Sequence, residues 1–185
     1  MVMHTGRALL DAAKILKEAG LSEGQTYVDF GCGTLGHFVI PAAGLVGAKG
    51  MVYAFDVLPN ALVAINERAR TERVLPLETV WGDLQHEHGT KKIPAASVDL
   101  ASVINTTTLF FKNNIIIKNI RRVLKNDGRL LVLDWQKKSL LAKIMSVDTT
   151  DPEELKKVIE DNGFCLIKKI KVGTNHFGFL FQKIK

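Results

Sequence analysis

Val28-Asp29-Phe30-Gly31-Cys32-Gly33-Thr34-Leu35-Gly36 decides how this chain folds. Tyr27 to Phe30 reads as a short apolar strand, it runs into a turn carrying three glycines, and a helix follows from about Phe38 to Val46. Glycine lets the backbone approach a ligand closely, and a strand, a glycine-rich turn and a helix in that order place the ligand at the carboxyl end of a parallel sheet. Pro41 is compatible with the helix because it falls in the first turn, where no intrahelical donor is lost.

The neighbouring segments extend the pattern in both directions. Upstream, Ala8, Leu9, Ala12, Ala13, Ile15, Leu16 and Ala19 keep helical spacing, and Gly20 stops that helix. Downstream, strands are expected at Met51–Phe55, Glu78–Trp81, Val98–Ile104 and Leu130–Asp134, with Asp56 closing the second. Helices are expected over Pro59–Arg70 and Asn114–Leu124, with Lys125-Asn126-Asp127-Gly128 as the turn before the fifth strand. Asp151-Pro152-Glu153-Glu154 has a cap, a first-turn proline and two acids at the positive end of a helix that Gly163 closes. Cys165–Val172 and His176–Gln182 are two last strands joined at Gly173-Thr174-Asn175, a hairpin signal. Alternating buried strands and helices give an α/β fold, a doubly wound parallel sheet with one antiparallel strand added by the hairpin.

The 185 residues fit one domain with a core of its own, 1–185, divided into an N-terminal helix (1–22), a ligand-binding core (23–135) and a last helix with a hairpin (136–185). Two cysteines, Cys32 and Cys165, make neither a disulfide framework nor a metal knot, which suits a cytoplasmic protein. Met1–Arg7 does not read as a secretory signal, and no apolar run is long enough to cross a bilayer. A formal charge of +6 favours anionic neighbours only modestly, so nucleic acid is admitted as a partner but not favoured.

A Gly-x-Gly-x-x-Gly run is weak on its own, and three acids sharpen it. Asp56 stands where a carboxylate can accept from both ribose hydroxyls of a nucleoside. Asp29, two residues before Gly31, would oppose a pyrophosphate but favours a cation. Asp83, in Gly82-Asp83-Leu84, can accept from an adenine amino group while the N–H of Leu84 donates to the ring. Three acids at three successive strand ends match S-adenosylmethionine (SAM), with its sulfonium and α-ammonium groups, better than a nicotinamide dinucleotide.

The chain resembles the class I SAM-dependent methyltransferases, nearest to the small-molecule branch that includes the ubiquinone and menaquinone C-methyltransferases. Val28–Gly36, Val52–Asp56 and Trp81–Leu84 resemble the family's first three motifs, and Arg122–Leu130 resembles its turn before strand five. Glu160–Phe164 and His176–Phe179 resemble its last helix and hairpin. The resemblance implies a seven-stranded sheet in the order 3-2-1-4-5-7-6. It also implies SAM as cofactor with S-adenosylhomocysteine as product, no metal, and a cofactor site of Asp29, Gly31, Cys32, Gly33, Gly36, Asp56, Val57, Gly82, Asp83, Leu84 and Asn105. Position 35 is Leu where the family has glycine, and Gln136–Thr150 is short where many relatives insert a lid. Asn105-Thr106-Thr107-Thr108 lacks the Pro-Pro-aromatic signature of amino-group nucleic-acid methyltransferases.

The implied reaction is direct SN2 transfer from the sulfonium to a small-molecule acceptor, which needs alignment in a dry pocket more than a dedicated base. His176, on the hairpin rim, is the candidate for a catalytic or substrate contact; Cys32 contributes backbone, and Cys165 reads as core. Trp81 and Trp135 are expected to pack under helices, with Trp135 also able to stack on an acceptor ring. Lys137, Lys138, Lys143, Lys168, Lys169 and Lys171 would hold RNA or another anionic acceptor if they lined one groove. The alternatives are an RNA or protein methyltransferase, an NAD(P)-dependent oxidoreductase and a non-catalytic SAM-binding module.

Overall fold

The structure, a computed structural model, describes residues 10–184. The first turn of the N-terminal helix expected from Ala8, and the segment Met1–Arg7, lie outside those residues. Seven strands form one sheet: β1 Thr26–Phe30, β2 Met51–Asp56, β3 Glu78–Trp81, β4 Val98–Ile104, β5 Leu124–Trp135, β6 Phe164–Lys169 and β7 His176–Lys183. Their order is β3-β2-β1-β4-β5-β7-β6, as expected. The first five are parallel, and β7 runs antiparallel between β5 and β6.

Among the described residues six α-helices cover the faces: α1 Ala12–Glu18, α2 Val39–Val46, α3 Pro59–Glu72, α4 Ile115–Val123, α5 Leu140–Ile144 and α6 Pro152–Asp161. Side chains alternate across each strand, so one strand feeds both layers. Tyr27, Ala54, Leu100 and Leu133 meet α1, α2 and α3 on one face. Phe30, Phe55, Val103 and Phe181 meet α4 and α6 on the other. Asp11 caps α1 by accepting from the N–H of Lys14, and Asp151 caps α6 by accepting from those of Glu153 and Glu154.

Four expectations are corrected. Lys125–Gly128 is not a turn ahead of the fifth strand but a wide bulge within it. Leu124 already pairs with Val98, the ladder resumes at Arg129 opposite Leu100, and the four residues between loop out. Trp81 is 53% exposed because β3 is an edge strand; its indole N–H donates to the carbonyl of Val57. Cys165 lies on the exposed side of the other edge strand, β6, while Phe164 takes the core. The hairpin lysines do not all line one groove: Lys169 and Lys171 share the groove beside His176, and Lys168 lies apart. Lys168 donates to the carbonyl of Glu18 on one face of the sheet, and Lys169 pairs with Glu153 on the other.

Past β4 the chain makes a 3-10 turn over Thr107–Phe111, pinned by a buried network the sequence did not disclose. Asp134 at the end of β5 accepts from the backbone N–H and the hydroxyl of Thr107, and Thr107 meets the hydroxyl of Thr150 at 2.8 Å. The loops after β4 and β5 and the start of α6 are thereby held together at the carboxyl edge of the sheet.

Candidate cofactor cleft

The ladder between β1 and β2 continues into the glycine turn. The N–H groups of Gly31 and Cys32 both donate to the carbonyl of Phe55, at 2.9 and 3.2 Å. Asp56 then takes over: one carboxylate oxygen accepts from the N–H of Gly33 and the other from that of Leu58, each at 2.9 Å. Two backbone donors thus fix the orientation of this carboxylate, and each oxygen keeps a lone pair for a further donor. Asp56 is buried, and Val57 beside it is exposed.

The glycines do different work. Gly33 has φ +61°, and a Cβ built there meets nothing within 4 Å, so the missing side chain leaves open space above the turn. Gly36 has φ +52°, and a Cβ there would lie 2.3 Å from Cδ1 of Ile65, so it is needed to seat α3 against the turn. Gly36→Ala is therefore expected to destabilise by about 1–3 kcal/mol from overpacking, with the left-handed backbone adding to it. A denaturation midpoint equal to that of the parent protein would contradict this.

Asp29 is 4% exposed on the α1–α3 face, opposite Ser102 on β4. The Ser102 hydroxyl bonds to it at 2.6 Å and meets the hydroxyl of Tyr27 at 2.5 Å. Burial pushes the Asp29 carboxyl up to about 7; the Ser102 hydrogen bond opposes the shift and the Asp56 charge adds to it. Burial, with Asp29 and Asp56 adding, drives the Cys32 thiol far up, so it stays protonated and unreactive.

These residues converge on a cleft of about 310 Å³ lined by Asp29, Gly31, Cys32, Gly33, Asn105 and, from the chain entering α1, Leu10. Asn105 holds its place in a left-handed conformation, φ +57°, with its N–H donating to Leu133. His37 fastens the entrance by bonding through Nε2 to the carbonyl of Leu10 at 2.8 Å. Ser102 and Tyr27 were missed in the sequence. The available signal was Ser102, a polar residue on the face of the strand that otherwise carries Leu100 and Ile104.

Gly36, Asp56 and Val57 stand beside the cleft without lining it, and the remaining candidates also lie outside the lining. Gly82 packs its backbone against the ring of Phe55, Leu84 is buried in the core, and Asp83 accepts from the N–H of Gln85 while standing 3.5 Å from His86. His176 sits two strands beyond β4, roughly 10 Å away across the sheet. It lines a separate groove of about 590 Å³ with Gln136, Asp151 and Lys171. Its ring is 2% exposed, stacks on Trp135 with centroids 4.1 Å apart, and neither nitrogen has a hydrogen-bond partner. Burial lowers its pKa to about 4, so the imidazole is neutral near pH 7. Among the described residues no three His, Cys, Asp or Glu side chains are grouped to hold a metal ion.

A family model described as a methyltransferase domain matches residues 21–174, and the chain belongs to that family. Its fold is that of SAM-dependent methyltransferases. The structure is similar to a SAM-dependent methyltransferase from Aquifex aeolicus, with 26% identity, a TM-score of 0.80, and coverage of 95% of this chain and 91% of the other. It is also similar to a SAM-dependent O-methyltransferase from Thermotoga maritima, with 13% identity, a TM-score of 0.69, and coverage of 100% and 67%. The [4+2]-cyclase SpnF shares the fold at 14% identity, with a TM-score of 0.77 and coverage of 94% and 79%. A search of curated proteins finds no match.

Proposed function

We propose that this protein binds SAM at the carboxyl ends of β1, β2 and β4 and transfers its methyl group to a small-molecule acceptor. The observation that carries this reading is a cleft lined by Asp29 and the open backbone of Gly33, with the carboxylate of Asp56 just behind it holding the Gly33 N–H. Asp56 would accept from the ribose hydroxyls. Gly33 would let the cofactor lie against the backbone, and Asp29 would face the cationic amino-acid portion. The cofactor supplies an activated methyl group; the chain's own part is to bind, orient and exclude water. A buried carboxylate beside the turn opposes the pyrophosphate of a nicotinamide dinucleotide, which disfavours the oxidoreductase alternative.

Transfer needs the acceptor on the open side of the cleft. The resemblance to quinone C-methyltransferases supports a ring-shaped acceptor of quinol or phenol type, and His176, stacked on Trp135 and lining the separate groove, is the residue proposed to orient it. A neutral imidazole of such low basicity can orient the acceptor without repelling the methyl donor's charge, but it does not take the acceptor's proton. Two unpaired ring nitrogens in a buried side chain are costly, so His176→Phe is expected to raise stability by about 1–3 kcal/mol. The same change is expected to lower turnover and leave SAM affinity unchanged. Loss of SAM affinity in this variant would remove His176 from the acceptor side.

The deciding experiment is calorimetry with SAM, S-adenosylhomocysteine and NADH, followed by labelled-methyl transfer to quinols, catechols, thiols and short RNAs. Binding of both adenosyl ligands and transfer to one acceptor class is expected. Tight NADH binding with no heat from SAM would overturn the assignment. The shortness of Gln136–Thr150, which forms only the five-residue α5, favours a second reading as a SAM-binding module without transfer. Binding with no transfer to any acceptor would select it.

A further inference from the structure

We infer that α5 and its flanks dock this protein on an anionic lipid surface, with the carboxyl edge of the sheet facing the bilayer. Leu140 and Ile144 are 70% and 69% exposed, and Leu141 and Met145 are exposed beside them. Only Ala142 of this helix is buried, and Ser139 secures the start by capping the N–H of Ala142 and bonding to Asn175 in the hairpin turn. Four large apolar side chains within the six residues Leu140–Met145, held out by a cap, are a liability in water unless something covers them.

Charge identifies the cover. Lys137, Lys138 and Lys143 are exposed around these apolar groups, and no acid occurs between Lys137 and Val147, so the stretch carries +3. Apolar side chains interleaved with lysines suit the boundary between phospholipid headgroups and acyl chains, where burial and attraction to anionic lipid act together. A nucleic acid would engage the lysines and leave the leucines wet. The apolar character also continues along the same edge: Leu58, just after β2, and Trp81, at the end of β3, are both more than half exposed. No helix is long and apolar enough to cross a membrane among the described residues, so the contact is peripheral. The inference does not depend on the reaction, because α5 lines neither the cleft nor the His176 groove.

The test is co-sedimentation of the full chain with phosphatidylcholine vesicles, with and without phosphatidylglycerol. Wild-type protein is expected to pellet with the anionic vesicles only and to be released by salt. Replacing the three lysines by alanine is expected to weaken partitioning about a hundredfold, at about fivefold per lysine. The Leu140→Glu/Ile144→Glu variant is expected to stay in the supernatant with SAM calorimetry unchanged, which shows that it folds and separates this inference from the cofactor assignment. The inference is overturned if wild-type protein ignores anionic vesicles at low salt, or if the glutamate variant binds them as well as wild type. It is also overturned if the protein forms a lipid-free dimer that the glutamate variant dissociates, since a second copy would then be what covers α5.

Discussion

Asp29→Asn is expected to raise the melting temperature of the ligand-free protein at pH 8 and to remove most of its affinity for SAM. The carboxyl is buried, and its folded-state pKa stands near 7 against an ordinary value of 3.8. The folded protein therefore holds a proton that the unfolded chain has released through most of the interval between those values. Stability contributed by this group is full below about pH 4 and is lost as pH rises through about 7. Asparagine keeps an oxygen for the Ser102 hydroxyl and has no charge to bury, so the variant escapes that loss. A cationic ligand reverses the sign, because the bound state needs Asp29 ionised. SAM affinity of the wild type should rise with pH between 6 and 8, and that slope should vanish in the variant. One charge-assisted contact of about 1.5–3 kcal/mol corresponds to roughly a 10- to 150-fold weakening of binding. A variant that binds SAM normally, or a wild type whose affinity ignores pH over this range, would place Asp29 in a structural role only.

What could be read from the sequence follows from how local each feature is. The strand–turn–helix units were legible because apolar periodicity and glycine position are written into consecutive residues, as in Val28–Gly36, whereas the strand order came from the resemblance to the methyltransferases. The convergence of Asp29 with Asp56 was legible for the same reason, since both close strands that must be neighbours in this topology. Features set by an edge or by pairing were not. Trp81 and Cys165 look like core residues, and they are exposed because β3 and β6 have a neighbour on one side only. The bulge at Lys125–Gly128 depends on Leu124 finding Val98, a contact 26 positions away in the chain. Ser102 and Tyr27 became visible beside Asp29 only once the register of β1 against β4 was known. His176 was expected at the rim; its side chain is buried, and its distance from the cleft depends on β5 standing between β4 and β7.

Asp56→Ala is expected to weaken SAM binding at least as much as Asp29→Asn does, with the opposite effect on stability. The Asp56 side chain receives the N–H groups of Gly33 and Leu58, so alanine strands two donors that the buried carboxylate satisfied. Each unpaired donor costs about 1–3 kcal/mol where water does not replace the acceptor, and the glycine turn loses the bond that fixes its path. Two ribose contacts of about 1.5–3 kcal/mol each put the weakening of SAM binding at about a hundredfold or more. Ligand fragments separate the two acids. Adenosine carries the ribose but neither the sulfonium nor the α-ammonium group, so its binding should fall in Asp56→Ala and persist in Asp29→Asn. Competition against a fluorescent adenosyl ligand, with both melting temperatures measured alongside, reads all four outcomes. If adenosine binding survives Asp56→Ala and is lost in Asp29→Asn, the cofactor lies the other way round in the cleft, and the roles given to the two carboxylates must be exchanged.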